Sequence, residues 1–121
     1  MPATIMTVDD SPSMRMLLKA AIDDLGYTVA QAEDGVHALD TIEGIAPDLL
    51  ITDLNMPRLD GFGLIERLRR EGRWRSLPIL VLTTESSDEK KQRARAAGAT
   101  GWIVKPFNAD KLVDAIRRVA A

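Results

Sequence analysis

Ile5 to Ser13, IMTVDDSPS, is the stretch whose reading decides the fold of this 121-residue chain. A short apolar run ends in two adjacent aspartates, Asp9 and Asp10. Ser11-Pro12 then opens a helix, because serine suits the N-cap and proline the first helical position. Strand, acidic corner and helix together make the start of a β-α unit. Two like charges ~4 Å apart cost about 1 kcal/mol in water and roughly 4 at an effective dielectric of 20. The acidic pair therefore sits in water or has a cation beside it.

The same alternation continues outward from this stretch. Strands are predicted at Thr4–Val8, Tyr27–Ala32, Leu49–Thr52, Ile79–Leu82 and Gly101–Val104. Unbroken runs such as LLI and ILVL mark strands covered on both faces of a parallel sheet. Helices fill the gaps. Gly26 lies just past the first, and Asp34 caps a second that closes before Gly44. Asp60-Gly61 leads into a third that ends near Gly72. Ser86 with Glu89 forms a capping box for the fourth, closed by Gly98. Asn108 caps the fifth, whose Leu112, Ile116 and Val119 share one face. Five β-α units require an α/β fold with a five-stranded parallel sheet, right-handed crossovers and helices on both faces. The fourth helix, within SSDEKKQRARAAG, offers only alanines to the core and should be weakly held.

Length and composition fit one domain over residues 1–121, with a core that needs no staples. There are no cysteines, which excludes disulfides and thiolate metal sites. No apolar run reaches the ~20 residues of a membrane span, and the N-terminus lacks a signal-peptide pattern, so the expected address is cytoplasmic. The net charge of -2 makes neither nucleic acid nor an anionic membrane an obvious partner. The charge is uneven: residues 1–85 carry 8 Lys/Arg and 14 Asp/Glu, whereas residues 86–121 carry 8 and 4. The basic end reads as a solvated face or as a docking surface for an acidic partner.

Ligands of an open parallel α/β sheet bind outside the carboxyl ends of the strands. Asp9 and Asp10 end the first strand, Asp53 the third, Thr83 the fourth and Lys105 the fifth. Each alone is an ordinary loop residue; their convergence on one rim carries the signal. Three carboxylates balance one ammonium and one divalent cation. Magnesium suits such a site, since it takes one or two carboxylates, waters and a phosphate oxygen. A lysine can reach a phosphoryl group, a threonine hydroxyl can donate to it, and an aspartate can attack phosphorus to form an acyl phosphate. In-line transfer asks for positioning and charge neutralisation more than for a general base.

The DD…D…T…KP set in these strand-end contexts closely resembles the receiver domain of two-component response regulators, in particular the stand-alone chemotaxis type, and the likeness spans essentially the whole chain. It implies the doubly wound (βα)5 flavodoxin-like fold with strand order 2-1-3-4-5. It implies that Asp53 is the phosphoacceptor and Asp10 the main side-chain Mg²⁺ ligand. Asp9 would help directly or through water, and the main-chain carbonyl of Asn55 would be the third protein ligand. Thr83 would be the switch hydroxyl, Lys105 the counter-ion and Trp102 the aromatic switch residue, with a cis bond before Pro106. The implied activity is that of a signalling protein, not an enzyme, catalysing only its own phosphorylation and dephosphorylation. A histidine kinase of the chemotaxis type would phosphorylate it. A monomer would then signal through its fourth helix, fifth strand and fifth helix to a flagellar motor switch protein or another target. A single-domain phosphorelay intermediate or a phosphate sink is the alternative. No output domain is expected after residue 121, so action would be by protein–protein contact. Asn55 and Glu85, flanking the site, resemble the chemotaxis type.

The chain departs from the family pattern in two places. Trp102 stands where Tyr, Phe or His is usual, and an edge-strand aromatic packed on the last helix is its plainer reading. Thr84 stands where Ala or Gly is favoured; a β-branched residue there would crowd the phosphoryl pocket and slow reaction with small phosphodonors. His37, on the second helix, reads as a surface histidine, and Arg69, Arg70, Arg73 and Arg75 around Trp74 as a solvated helix end. A haloacid-dehalogenase-like phosphatase would place its nucleophile on the first strand and needs room for a cap. A flavin carrier would need a hydroxyl- and glycine-rich first loop, where DDSPS offers two negative charges. An interaction module without phosphorylation would have lost an acid or the lysine.

Overall fold

The computed structural model describes residues 3–120. The elements alternate as β1 Thr4–Val8, α1 Pro12–Asp23, β2 Thr28–Ala32, α2 Gly35–Ile45, β3 Leu49–Thr52, α3 Gly61–Arg70, β4 Ile79–Thr83, α4 Asp88–Ala97, β5 Gly101–Val104 and α5 Ala109–Ala120. A single 3-10 turn, Gly72–Trp74, follows α3. All neighbouring strands pair in parallel, in the order β2-β1-β3-β4-β5. This is the flavodoxin-like doubly wound sheet, as expected.

The central strands β1, β3 and β4 are buried almost throughout, which is why β3 and β4 read as apolar runs, while β1 is interrupted by the buried Thr7. Two apolar clusters flank the sheet. Met6, Val8, Leu50, Ile79 and Val81 face Ala38, Ile42, Leu64, Leu68 and Ala94 of α2, α3 and α4. Ile5, Ile51, Leu80 and Leu82 face Leu18 and Ile22 of α1 and Leu112 and Ile116 of α5. Val119 packs against the second cluster, so the predicted α5 stripe is the one that is used.

The helix starts follow local capping chemistry. Ser11, Asp34 and Asp60 each accept an N–H from the first turn of α1, α2 and α3, and the Asn108 side chain accepts the Lys111 N–H at the start of α5. Four expectations need correction. The second strand starts at Thr28, not Tyr27, and the fourth runs on through Thr83. The cap of α4 is Ser87, which accepts from Lys90, not Ser86. α2 passes through Gly44 to Ile45 and ends on Ala46, in the left-handed region at φ 49°. Gly98 does close α4, at φ 119°.

α4 buries Ala94 alone, the thin apolar contact that its composition predicts. Other contacts hold it. The Arg69 guanidinium donates through Nε and Nη2 to the Gly98 carbonyl at 3.0 and 2.7 Å, and through Nη1 to the Trp74 carbonyl at 2.8 Å. Burial of that guanidinium lowers its pKa from the usual value. Arg93 of α4 lies 4.0 Å over the Phe62 ring of α3. Arg69 is therefore a structural strut and not part of a solvated helix end. Arg73, in contrast, lies over the Trp74 ring at the surface.

Candidate functional site: an acidic rim at the strand ends

The sheet hydrogen bonding continues past the strand ends and launches three side chains from one edge of the sheet, each from a different strand pair. Asp9 donates its N–H to the Ala32 carbonyl, Asp53 to Val8 and Lys105 to Thr83, at 3.1, 3.0 and 2.7 Å. Residues so placed have little backbone freedom, so their side chains converge by construction. Lys105 Nζ bridges Asp9 Oδ2 and Asp53 Oδ2 at 2.9 and 3.0 Å. Burial alone would lower the Lys105 pKa; the hydrogen bonds and charges of Asp9 and Asp53 outweigh it and hold the ammonium above its usual range. The second oxygens of both acids accept backbone N–H groups, Asp9 Oδ1 from Ser11 at 2.9 Å and Asp53 Oδ1 from Leu54 at 2.7 Å.

Asp10 is exposed and has no hydrogen-bond or ion-pair partner among the described residues. Oxygens of Asp9, Asp10 and Asp53 nonetheless lie within 4.8 Å of one another. One ammonium thus faces three carboxylates, and all the donors are hard oxygens. That set fits Mg²⁺, which favours carboxylates and water over nitrogen or sulfur ligands. Without metal the crowding is unrelieved on the Asp10 side. Asp10→Asn should therefore stabilise the metal-free protein by about 1 kcal/mol, the like-charge cost near water, raising Tm by roughly 4 °C in chelator. A lower Tm in a calorimetric scan would contradict the crowding.

Thr83 is fully buried, its Oγ1 accepting the Glu85 N–H at 3.3 Å. Thr84 is exposed. Asn55, also exposed, reaches Glu85 Oε1 at 3.5 Å, and Glu85 pairs with Lys90 of α4 at 2.8 Å. Lys90, and then Asn55, hold the Glu85 carboxyl below its usual pKa. Trp102 packs with the Ala94 cluster on the α4 side of the sheet and also borders a groove lined by Lys111, Asp114, Ala115 and Arg118 of α5, so the expected last-helix packing is only part of its surroundings. Its indole N–H is buried with no partner among the described residues. The Lys105-Pro106 bond is cis.

Two features escaped the sequence reading. His37 is in the first turn of α2 and half-buried, its Nδ1 accepting the Glu33 N–H at 3.1 Å, so it belongs to the helix start and is not the plain surface histidine expected. Arg58 forks onto the buried Asp34 carboxylate, with Nε to Oδ2 at 2.7 Å and Nη2 to Oδ1 at 2.9 Å. The Arg58 hydrogen bonds are the main cause that lowers the Asp34 pKa. A lowered carboxyl pKa stabilises above the ordinary carboxylate range and ceases to as pH falls through it. The Tm gap between parent and Asp34→Asn should therefore be full at neutral pH and shrink below about pH 4. A gap that widens in acid would contradict the ion pair.

Gly61, the first residue of α3, packs directly behind Asp53. A Cβ there would overlap the Asp53 carbonyl and lie 2.8 Å from Leu54 Cα. Backbone cannot yield as a side chain can, so Gly61→Ala should cost ~3 kcal/mol or more by forced backbone shifts. The check is a urea midpoint; a parent-like midpoint would refute the packing.

A family model described as the response regulator receiver domain matches residues 5–117. Chemotaxis protein CheY of Pseudomonas aeruginosa is 38% identical over 116 residues, 95% of this chain and 94% of its own length. Response regulator MprA of Mycobacterium sp. (strain KMS) is 40% identical over 97% of this chain, which spans only 50% of MprA. Among solved structures, chemotaxis protein CheY4 of Vibrio cholerae superposes with a TM-score of 0.94 at 43% identity, covering 98% of this chain and 99% of that one. The receiver domain of sensor histidine kinase PA1611 from Pseudomonas aeruginosa, with a magnesium ion coordinated in its active-site cleft, superposes at 0.91 with 27% identity over 99% and 98%. No described helix is long and apolar enough to cross a membrane.

Proposed function

This chain belongs to the response regulator receiver domain family, and on that premise we propose that it is a phospho-accepting switch whose acceptor is Asp53. The observation that carries the reading is the Lys105 ammonium bridging Asp9 and Asp53, with the Asp10 carboxylate beside them. A carboxylate oxygen of Asp53 attacks the phosphorus of a phosphohistidine. The new O–P bond replaces the donor's P–N bond, and the imidazole leaves and takes a proton at that nitrogen. Lys105 holds the acceptor in place and then answers the phosphoryl charge. Asp9, Asp10, the Asp53 side chain and the Asn55 carbonyl would hold Mg²⁺. When bound, that ion supplies the double positive charge that lets an anionic phosphoryl group enter an acidic corner. Water later returns the acyl phosphate to the carboxylate and inorganic phosphate.

The output would run through Thr83. Its hydroxyl turns from the Glu85 N–H toward the phosphoryl oxygens, and the face of α4, β5 and α5, with Trp102 on β5, repacks. Moving a two-state equilibrium from 1:99 to 99:1 takes ~5.5 kcal/mol, and new charge-assisted hydrogen bonds supply about 1.5–3 kcal/mol each. The donor would be a histidine kinase of the chemotaxis type and the receiver of the signal a flagellar motor switch protein. The likeness to CheY and CheY4 over nearly their whole length supports this choice. The test is a pull-down of the motor switch component with the protein before and after transfer from a phosphorylated kinase in Mg²⁺. Capture only after transfer supports the motor reading. Transfer without capture, with the phosphoryl group passed to a second histidine domain or lost to water, replaces it by a relay or a phosphate sink.

A further inference from the structure

The segment Leu54–Asp60 leads from Asp53 to α3 and carries Asn55. It contains a turn that a residue with a side chain rarely adopts. Arg58 has φ +67°, and the Leu59 N–H donates to the Pro57 carbonyl at 2.7 Å. Such three-residue turns with a positive central φ are rare and strained. They persist where the surroundings over-determine them.

The surroundings here are the N-terminus of α2. Both Asp34 oxygens accept from the Arg58 fork, and Asp34 Oδ1 also accepts the His37 N–H at 2.9 Å, so this carboxylate is itself fixed as the cap of α2. The Gly35 N–H donates to the Leu59 carbonyl at 3.3 Å, and a Cβ on Gly35 would sit 2.6 Å from that same oxygen. The loop is therefore pressed onto the helix start, with no room for a side chain between them. An ammonium could supply the charge but not the two parallel bonds of a planar guanidinium.

We propose that Arg58 is a positioning residue: by locking this strained turn onto α2, it holds the Asn55 main-chain carbonyl where a bound Mg²⁺ requires it. The proposal rests on the metal-binding reading above. It gives α2, whose residues touch neither metal nor acceptor, a hold on the affinity of the site.

The test is calorimetric Mg²⁺ titration of the parent, Arg58→Ala, Arg58→Gly, Arg58→Lys and Asp34→Asn, well below each Tm. It is paired with amide hydrogen exchange of residues 55–59 in metal-free protein. Arg58→Ala should weaken Mg²⁺ binding about tenfold or more, the range for groups that orient metal ligands, and speed exchange in the loop. Arg58→Gly relieves the strain but loses the fork, so it should be weakened too. Arg58→Lys should not restore the parent affinity, and Asp34→Asn combined with Arg58→Ala should be no weaker than Arg58→Ala alone. Parent-like Mg²⁺ affinity in Arg58→Ala or Arg58→Gly, even with a lowered Tm, overturns the proposal. A parent that binds no Mg²⁺ removes the functional reading on which it stands, while the exchange comparison still reports whether the latch holds the loop.

Discussion

Asp53→Asn should accept no phosphoryl group from a phosphorylated histidine kinase at any Mg²⁺ concentration, and it should remain folded. The Asp53 carboxylate is the group proposed to attack phosphorus. It is fixed by the Leu54 N–H on one oxygen and by Lys105 on the other. An amide keeps the shape and an acceptor for the Leu54 N–H but is not a nucleophile toward phosphorus. Lys105 retains its pair with Asp9, so the ammonium is not stranded. Transfer assayed with radiolabelled kinase should fall from equimolar to none, while the circular dichroism spectrum is unchanged. Label appearing on Asp10 or elsewhere in this variant would move the acceptor and sink the assignment.

The second large effect is on stability. Lys105→Met should destabilise the metal-free protein by about 3–5 kcal/mol, the usual result of breaking a buried pair on one side only. That corresponds to a Tm lower by roughly 10–20 °C for a domain of this size. The Lys105 side chain is 11% exposed and Asp9 is 2% exposed, so water cannot take over the lost charge interaction. The pH profile has a definite sign. The Lys105 pKa is raised in the folded state, so its contribution is complete below the ordinary lysine range and is lost as pH rises through the raised value. The gap between parent and variant should be flat through neutral pH and should close as pH rises into strong alkali. Added Mg²⁺ should recover part of the loss by answering Asp9 and Asp53 from the other side. A Tm within a degree or two of the parent would mean that the acids are not held by this ammonium.

The fold and most of the rim could be read from local signals. The β3 and β4 strands follow apolar runs, helix starts follow Ser, Asp and Asn caps, and the rim follows from the polar residues at the ends of β1, β3, β4 and β5. What could not be read is held by contacts remote in sequence or by fine competition between neighbours. Ser86 and Ser87 are both competent caps by residue type, and it is Ser87 that accepts the Lys90 N–H. Gly44 is the obvious stop for α2, yet Ala46 takes the left-handed turn. The Arg58–Asp34 fork spans 24 residues, and Arg69 binds a carbonyl 29 residues away. No periodicity or motif marks such partners, because guanidinium groups at a surface and in a strut look alike in a sequence. A positive φ at Arg58 is equally invisible, since arginine is not a turn-forming residue.

The strut at Gly98 also sets how α4 can travel. Arg69 and the buried Ala94 fasten the helix in its C-terminal half, whereas its first turn is tied to the site side by the Lys90–Glu85 pair. A ten-residue helix is about 15 Å long. A displacement that spares the Arg69 contacts is therefore a lever stroke with its fulcrum at Gly98, and its widest arc is at Asp88, the end nearest the loop that leaves Thr83.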